Sequence, residues 1–481
     1  MSKLLKAIKS TDNVTFTENN AKTLKSTLNA VLDLFSRGAA MRTSSEDEVV
    51  KLFATALAED RELALKCLFY IRDIRAGQGE RRFFRVCMRW LANSETKQVV
   101  DNLELFSEFG RWDDLLCLLG TKAEKNTLAL IKNQLMKDIK SKKPSLLARH
   151  LPSENASSKE TIRDAKIVRE FMGMDSKKYR KTLSKLRKAL NVVECLMCSG
   201  EWGSINYERV PSRASMIYRK AFGRNDTERY VAYLGSVEKG EAKINSGVLY
   251  PYDIVTKIIN GQGDQTLEAQ WKALPNYFEG AENQNSLCIC DVSGSMAGLP
   301  LAVSISLGLY AAEHNVGPFK DHFITFSAVP TLQKVVGNTL QDRVNFLSRA
   351  AWDMNTDLQA VFDLVLSSAV KHKVPKVEMP SLLFIISDME FDQCCSKNKK
   401  SNFEAIAAKY RAAKYKMPTL CFWNVNARNQ QSPVKYDERG CFLISGCSST
   451  TFKNALNTKA TTPQDLMLEV LSSERYSIVK T

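Results

Sequence analysis

Between residues 20 and 280, apolar side chains recur every three or four positions in short runs, each closed by glycine or a polar cluster. That period predicts amphipathic helices rather than strands. The first spans 21–35, with Leu24, Leu28, Val31, Leu32 and Phe35 on one face, and Arg37-Gly38 ends it. Further helices are predicted over 49–57, 61–74, 80–91, 99–109, 112–119 and 122–139, with a break at Ala76-Gly-Gln-Gly79. Residues 140–165 read as a polar loop carrying Pro144 and Pro152. Helical patterning resumes over 191–198, 214–222 and 229–237 and closes with 256–278. Short helices joined by short breaks indicate an all-α helical repeat stack, although no fixed repeat period is visible. After the polar junction 280–285 the pattern changes. Strands are predicted at 286–290, 322–327, 382–387, 419–425 and 441–445. They alternate with helices near 299–314, 338–351, 357–371, 402–415 and 463–473. Such alternation predicts an α/β domain with a parallel, Rossmann-like sheet covered on both faces. The expected organisation is therefore multidomain: residues 1–284 helical, residues 285–481 α/β.

The chemistry concentrates where the first buried strand of the second domain ends. Ser286-Leu-Cys-Ile-Cys290 runs into Asp291, then Ser293 and Ser295. In an open α/β sheet ligands bind outside the carboxyl ends of the strands. One carboxylate and two hydroxyls on a tight turn are hard oxygen donors, suited to Mg²⁺, Ca²⁺ or Mn²⁺ rather than to zinc. Asn355-Thr-Asp357 opens a helical pattern, and Leu382-Leu-Phe-Ile-Ile-Ser-Asp388 is a second buried run ending in a carboxylate. Together these three stretches resemble the metal-ion-dependent adhesion site of the von Willebrand factor A domain family. The resemblance implies that Asp291, Ser293, Ser295 and Thr356 hold a divalent cation, directly or through water, with Asp388 close by. It departs from the family at Met354-Asn355, where glycines usually precede the threonine.

Charge narrows the partners. The chain has 68 Lys+Arg against 53 Asp+Glu, a net +15; about +11 of this precedes Gln284 and about +4 follows it. A basic helical domain favours polyanions, with nucleic acid first among them. Arg81, Arg85 and Arg89, with Arg82 beside them, fall on one helix face. Lys181, Lys185 and Lys188 form a second stripe next to Arg180. Arg213, Arg219 and Arg224 form a third, with Tyr218 and Phe222 interleaved. Guanidinium forks suit phosphates and aromatic rings stack on unpaired bases, although any one such stripe alone is more often a solvated helix face.

No run of about eighteen apolar residues crosses a membrane, and the first residues lack a signal-peptide core. The cysteines show no disulfide-like spacing, so a reducing, cytoplasmic setting is expected. Enzyme signatures are sparse. Gly77-Gln-Gly79 and Gly261-Gln-Gly263 are not dinucleotide fingerprints, Cys195 and Cys198 lack a second ligand pair, and the histidines stand apart. The chain is expected not to be an enzyme, with metal-dependent hydrolysis the remaining catalytic option.

Several stretches carry a wider resemblance. They are Gly77-Gln-Gly-Glu-Arg81, Phe109-Gly-Arg-Trp-Asp-Asp-Leu115, Ser145-Leu-Leu-Ala-Arg-His-Leu-Pro-Ser153, Tyr179-Arg-Lys-Thr-Leu-Ser-Lys-Leu-Arg187 and Pro251-Tyr-Asp-Ile-Val255. With the C-terminal half, they resemble the uncharacterised family DUF2828 over nearly the whole chain. The order of parts is similar, more loosely, to the Ro 60 kDa type of protein, in which HEAT-like helical repeats (the TROVE domain) precede a von Willebrand A domain. That resemblance implies binding of small non-coding or single-stranded RNA by the helical domain. Two readings of different class follow. One is a non-catalytic, Ro-like RNA-binding protein. The other is an assembly module in which an acidic group of a protein partner completes the metal site and RNA plays no specific part.

Overall fold

The structure is a computed structural model that describes residues 12–281, 284–326, 330–349, 357–392 and 402–481. The N-terminal region is mostly helical and the C-terminal region is a mixed sheet with helices. The chain forms two compact units. One comprises Met1–Cys67, Ala76–Gln78 and Leu249–Tyr476; the other comprises Leu68–Arg75, Gly79–Val248 and Ser477–Thr481.

The first unit is built on a six-stranded sheet. Its strands are β3 (Ser286–Cys290), β4 (His322–Thr325), β5 (Leu332–Lys334), β6 (Leu382–Ser387), β7 (Thr419–Asn424) and β8 (Cys441–Ser445), in the order β5-β4-β3-β6-β7-β8. All neighbours pair in parallel except β4 and β5. β3, β6 and β8 are buried along their whole length, which is why they read as unbroken apolar runs. Helix Leu299–His314 is buried from Ala302 to Ala312 and packs on β3 and on helix Pro251–Ile259. Gly308 lets this helix approach the sheet, because a Cβ there would collide with the Cys290 sulfur.

The boundary expected at 284/285 does not divide these units, and specific bonds explain why. Trp271 Nε1 donates to Glu313 (2.7 Å), and Tyr277 N donates to the Tyr310 hydroxyl (2.9 Å), tying residues 249–281 to the sheet unit. At the other end, helix Ala30–Arg37 packs on β8, where Ser445 Oγ donates to Phe35 O (3.0 Å). Gln78 Nε2 donates to Ser445 O (3.0 Å).

The stretch 21–35 is not one helix. β1 (Val14–Phe16) and β2 (Lys22–Leu24) form an antiparallel pair, Leu28 has φ +69°, and the helix starts only at Ala30, capped by Asn29 accepting from Leu32 N at 2.7 Å. The residues before β2 lie along the 390–392 segment. Thr17 Oγ1 donates to Phe391 O (2.7 Å), Glu18 N to the Glu390 carboxylate (2.7 Å) and Asn19 Nδ2 to Glu390 O (2.8 Å).

The second unit is helical. Its core includes Phe69, Phe84, Phe106 and Phe109, with ring centroids 5.1–6.4 Å apart. Helix Lys159–Phe171 begins inside the stretch read as a polar loop; Ser158 caps it and Asp164, Ala165 and Val168 are buried. The pattern at 99–109 resolves into Thr96–Asp101 and Leu105–Phe109, and that at 256–278 into Pro251–Ile259 and Gln265–Lys272. Residues near the C-terminus close on this unit, Lys480 N donating to Asn102 Oδ1 at 2.9 Å. Among the described residues no helix is long and apolar enough to cross a membrane.

Candidate metal centre

The centre follows from strand register. Cys290 pairs with Ile386 in parallel, so Asp291 and Ser387 leave the sheet side by side. Asp291 N donates to Ile386 O at 3.0 Å. Its carboxylate accepts from Ser387 Oγ (2.7 Å) and from Ser293 N (2.9 Å), which fixes it at the strand end. Ser293 Oγ and Ser295 Oγ lie 3.0 Å apart. Asp388 Oδ1 accepts from Glu390 N at 3.2 Å, and the Ser295 hydroxyl bonds the same carboxylate. Asp388 Oδ2 is buried and has no hydrogen-bond partner, with Arg428 Nη1 at 3.6 Å.

Burial, and after it the charge of Asp388, pushes the Asp291 carboxyl up to about 6. Burial raises Asp388 as well, against the Glu390 N–H, Ser295 and Arg428, which stabilise its charge. Two desolvated carboxylates thus sit at neighbouring strand ends, with Arg428 reaching only Asp388. The Cys290 thiol beside them is pushed up to about 12 by burial and stays protonated, leaving an all-oxygen donor set. Among the described residues no three His, Cys, Asp or Glu converge as a metal cluster; the set here is two carboxylates and two hydroxyls. Facing carboxylates, neighbouring hydroxyls and one orphaned carboxylate oxygen fit a hard divalent cation.

Asp291, Ser293, Ser295 and Asp388 are therefore brought together. Thr356 lies outside the described residues; next to it, Asp357 caps helix Leu358–His372 through Ala360 N (2.9 Å). Three neighbours went unnoticed in the sequence. Arg428 pairs with Glu18 (2.8 Å) and reaches Asp388. Glu390, two residues past Asp388, accepts from Asn429 (2.9 Å) and Gln431 (2.7 Å). Glu390 could have been found by its spacing, but nothing local marks Glu18 or Arg428.

The basic stripes fare unevenly. Arg85 is half-buried against segment Trp112–Leu118, whereas Arg81 and Arg89 touch that segment but stay exposed. Arg85 Nε donates to Asp114 (2.8 Å), Arg81 pairs with Asp113 (3.3 Å) and Arg89 Nε donates to Cys117 O (3.3 Å). Arg82 is half-buried. Arg219 is 5 % exposed and donates to Met216 O, so it presents no guanidinium to solvent, and Phe222 is fully buried. Arg213 and Arg224 are exposed, the latter donating to Lys220 O (3.3 Å). Arg180, Lys181, Lys185 and Lys188 are all exposed on helix Ser176–Ala189.

Comparison with known proteins matches two families to successive parts of the sequence. Residues 17–178 and 144–282 match the family described as Domain of unknown function (DUF2828), and residues 285–477 match Domain of unknown function (DUF7788). The "Uncharacterized protein L728" of Acanthamoeba polyphaga mimivirus is 31% identical over 501 residues, covering 95% of this chain and 87% of that protein. Among solved structures, the crystal structure of the Deinococcus radiodurans RO (RSR) protein aligns over 91% of this chain and 92% of its own, at 14% identity and a TM-score of 0.39. On the family match and the full-length relative together, this chain belongs to the DUF2828 family.

Proposed function

We propose that the sheet unit is a von Willebrand A-like, non-catalytic binding module that takes a divalent cation, Mg²⁺ first among them, on Asp291, Ser293, Ser295 and Asp388, with Thr356 as a further donor. The observation that carries this reading is the pair of buried carboxylates, Asp291 and Asp388, at the ends of adjacent strands β3 and β6. Ser387 and the Ser293 N–H orient Asp291, and Ser295 orients Asp388, so the donors are held before any cation arrives. When bound, the cation supplies a hard electrophilic anchor for an oxygen ligand, such as an acidic side chain of a protein partner. The test is Mn²⁺ titration of the full chain followed by electron paramagnetic resonance. One Mn²⁺ per chain is expected, displaced by Mg²⁺ and lost in Asp388→Asn. Equal Mn²⁺ uptake by wild type and Asp388→Asn sinks the assignment.

A second reading, RNA binding, is favoured by helix Ser176–Ala189. It carries seven Lys or Arg and no acidic residue, and Lys181, Lys185 and Lys188 make no ion pair among the described residues. In this reading the helical unit is HEAT-like or TROVE-like, and the helix neutralises phosphates of single-stranded RNA. Binding of a single-stranded RNA by the full chain should weaken steeply with salt. Replacing Lys181, Lys185 and Lys188 by Gln should lower the log–log salt slope by about 2, at roughly 0.7 for each phosphate no longer neutralised. An unchanged slope removes this helix from the interface. The two readings concern different residues and are compatible.

A further inference from the structure

Away from the carboxylate pair, the sheet-containing unit holds a cavity of about 230 Å³ between helix Ala30–Arg37, helix Glu46–Glu59 and the 427–430 loop. Ala427 N donates to Ala40 O at 3.1 Å, which joins the loop to the chain leaving the first helix. Four cationic side chains line the space, Lys25, Arg37, Lys51 and Arg428, against two acidic ones, Asp33 and Glu48. Both acids are already engaged. Asp33 pairs with Arg37 (3.2 Å) and accepts from Thr27 N (2.9 Å). Glu48 accepts from Ser45 N (2.9 Å) and Ser45 Oγ (2.8 Å), closing the capping box of its helix.

The cations are less well served. Arg37 is 7 % exposed, and its Nη1 is buried with no hydrogen-bond partner. Buried guanidinium donors are ordinarily satisfied, so an orphan beside a cavity points to an absent acceptor. Lys25 and Lys51 make no ion pair among the described residues. Arg428 is held by Glu18 at 2.8 Å.

We infer that this cavity is a binding site for the phosphate group of a small phosphomonoester. Lys25 and Lys51, which make no ion pair among the described residues, offer two positive charges to a group carrying about −1.5 to −2 at neutral pH. Arg37 offers the N–H donors of its unpartnered Nη1 to a phosphate oxygen, and Lys25 and Lys51 act as point charges at the rim. Ser44 adds a neutral donor. A monocarboxylate would leave one of these two lysine charges unmatched. The site shares Arg428 with the surroundings of Asp388, but its orphan donor on Arg37 and its two lysines are its own.

Isothermal titration of the full chain tests this, with inorganic phosphate, adenosine monophosphate and acetate as probes at one ionic strength. Phosphate and the monophosphate should each bind saturably at one site. Lys51→Glu, on an exposed position, and Arg37→Lys should each weaken that binding fivefold or more, while Lys97→Glu, an equal charge change elsewhere, should not. Circular dichroism establishes that the variants are folded, and Lys51→Glu carries the test if Arg37→Lys is not. No saturable heat with either phosphate probe, a loss of less than fivefold in Lys51→Glu, or acetate binding as tight as phosphate would overturn the inference.

Discussion

Replacing Asp291 by Asn should make the metal-free protein more stable at pH 7.5. The carboxyl is raised from 3.8 to about 6, mainly by burial and then by the charge of Asp388. Two pKa units correspond to about 3 kcal/mol of penalty for keeping the group ionised in the folded chain. Asn removes the charge but disturbs the bonds from Ser387 Oγ and Ser293 N, a loss of about 1 kcal/mol. A net gain of about 2 kcal/mol is expected. The sign depends on pH. Because the folded chain holds this proton more tightly than the unfolded chain, wild-type stability falls as pH rises from about 4 to about 6. The penalty is complete above that window, and below it the advantage of Asn disappears. Urea denaturation of both proteins in EDTA, at pH 7.5 and pH 4.5, measures it. Adding 10 mM Mg²⁺ at pH 7.5 should stabilise wild type and leave Asp291→Asn unmoved, because binding to the folded state alone adds stability. If the Asn variant is the less stable protein in EDTA at pH 7.5, the carboxylate is not under the electrostatic load described here.

Two further predictions concern the scaffold. Asp114 is fully buried and accepts from Arg72 Nε (2.8 Å), Arg85 Nε (2.8 Å) and Arg111 N (2.9 Å), so Asp114→Asn should cost about 3–5 kcal/mol in guanidinium denaturation by leaving buried charge uncompensated. Asp113→Asn, at a carboxylate still 16% exposed, should cost about 1 kcal/mol or less, and equal losses at both positions would contradict the difference in burial. Gly308→Ala should lower thermal stability by about 1–3 kcal/mol, because the new methyl meets the Cys290 sulfur; an unchanged melting temperature would mean that the helix does not sit that close to β3.

The sheet was legible because its strands are buried on both faces. Ser286–Cys290, Leu382–Ser387 and Cys441–Ser445 have the bounds that their apolar runs predict. The placing of Asp291 and Asp388 at neighbouring strand ends was legible for the same reason, since each follows directly on such a run. Leu332–Lys334 was missed because an exposed three-residue edge strand has no apolar signature. Leu24 and Leu28 mimic a helical face by spacing alone, and only the turn chemistry at Thr27 and Asn29 contradicts it. Periodicity also cannot show what a charged face meets. Arg85 looked solvent-facing because its partner, Asp114, is 29 residues away. Arg428 and Glu18 lie 410 positions apart, beyond any local pattern.

The bonds from Thr17, Glu18 and Asn19 to the 390–391 backbone and the Glu390 carboxylate bear on the order of events during synthesis. The sheet-containing unit needs both its first 67 residues and the chain out to Tyr476. At about 5–20 residues per second, the early segment waits roughly 20–80 seconds for its partners to leave the ribosome. Throughout that interval the apolar face of helix Ala30–Arg37 has no β8 to cover it, while most of the helical unit, ending at Val248, has already been made. The nascent chain is thus most exposed to chaperones and to aggregation at its N-terminal end, and a slow codon late in the message would prolong the exposure of residues hundreds of positions upstream.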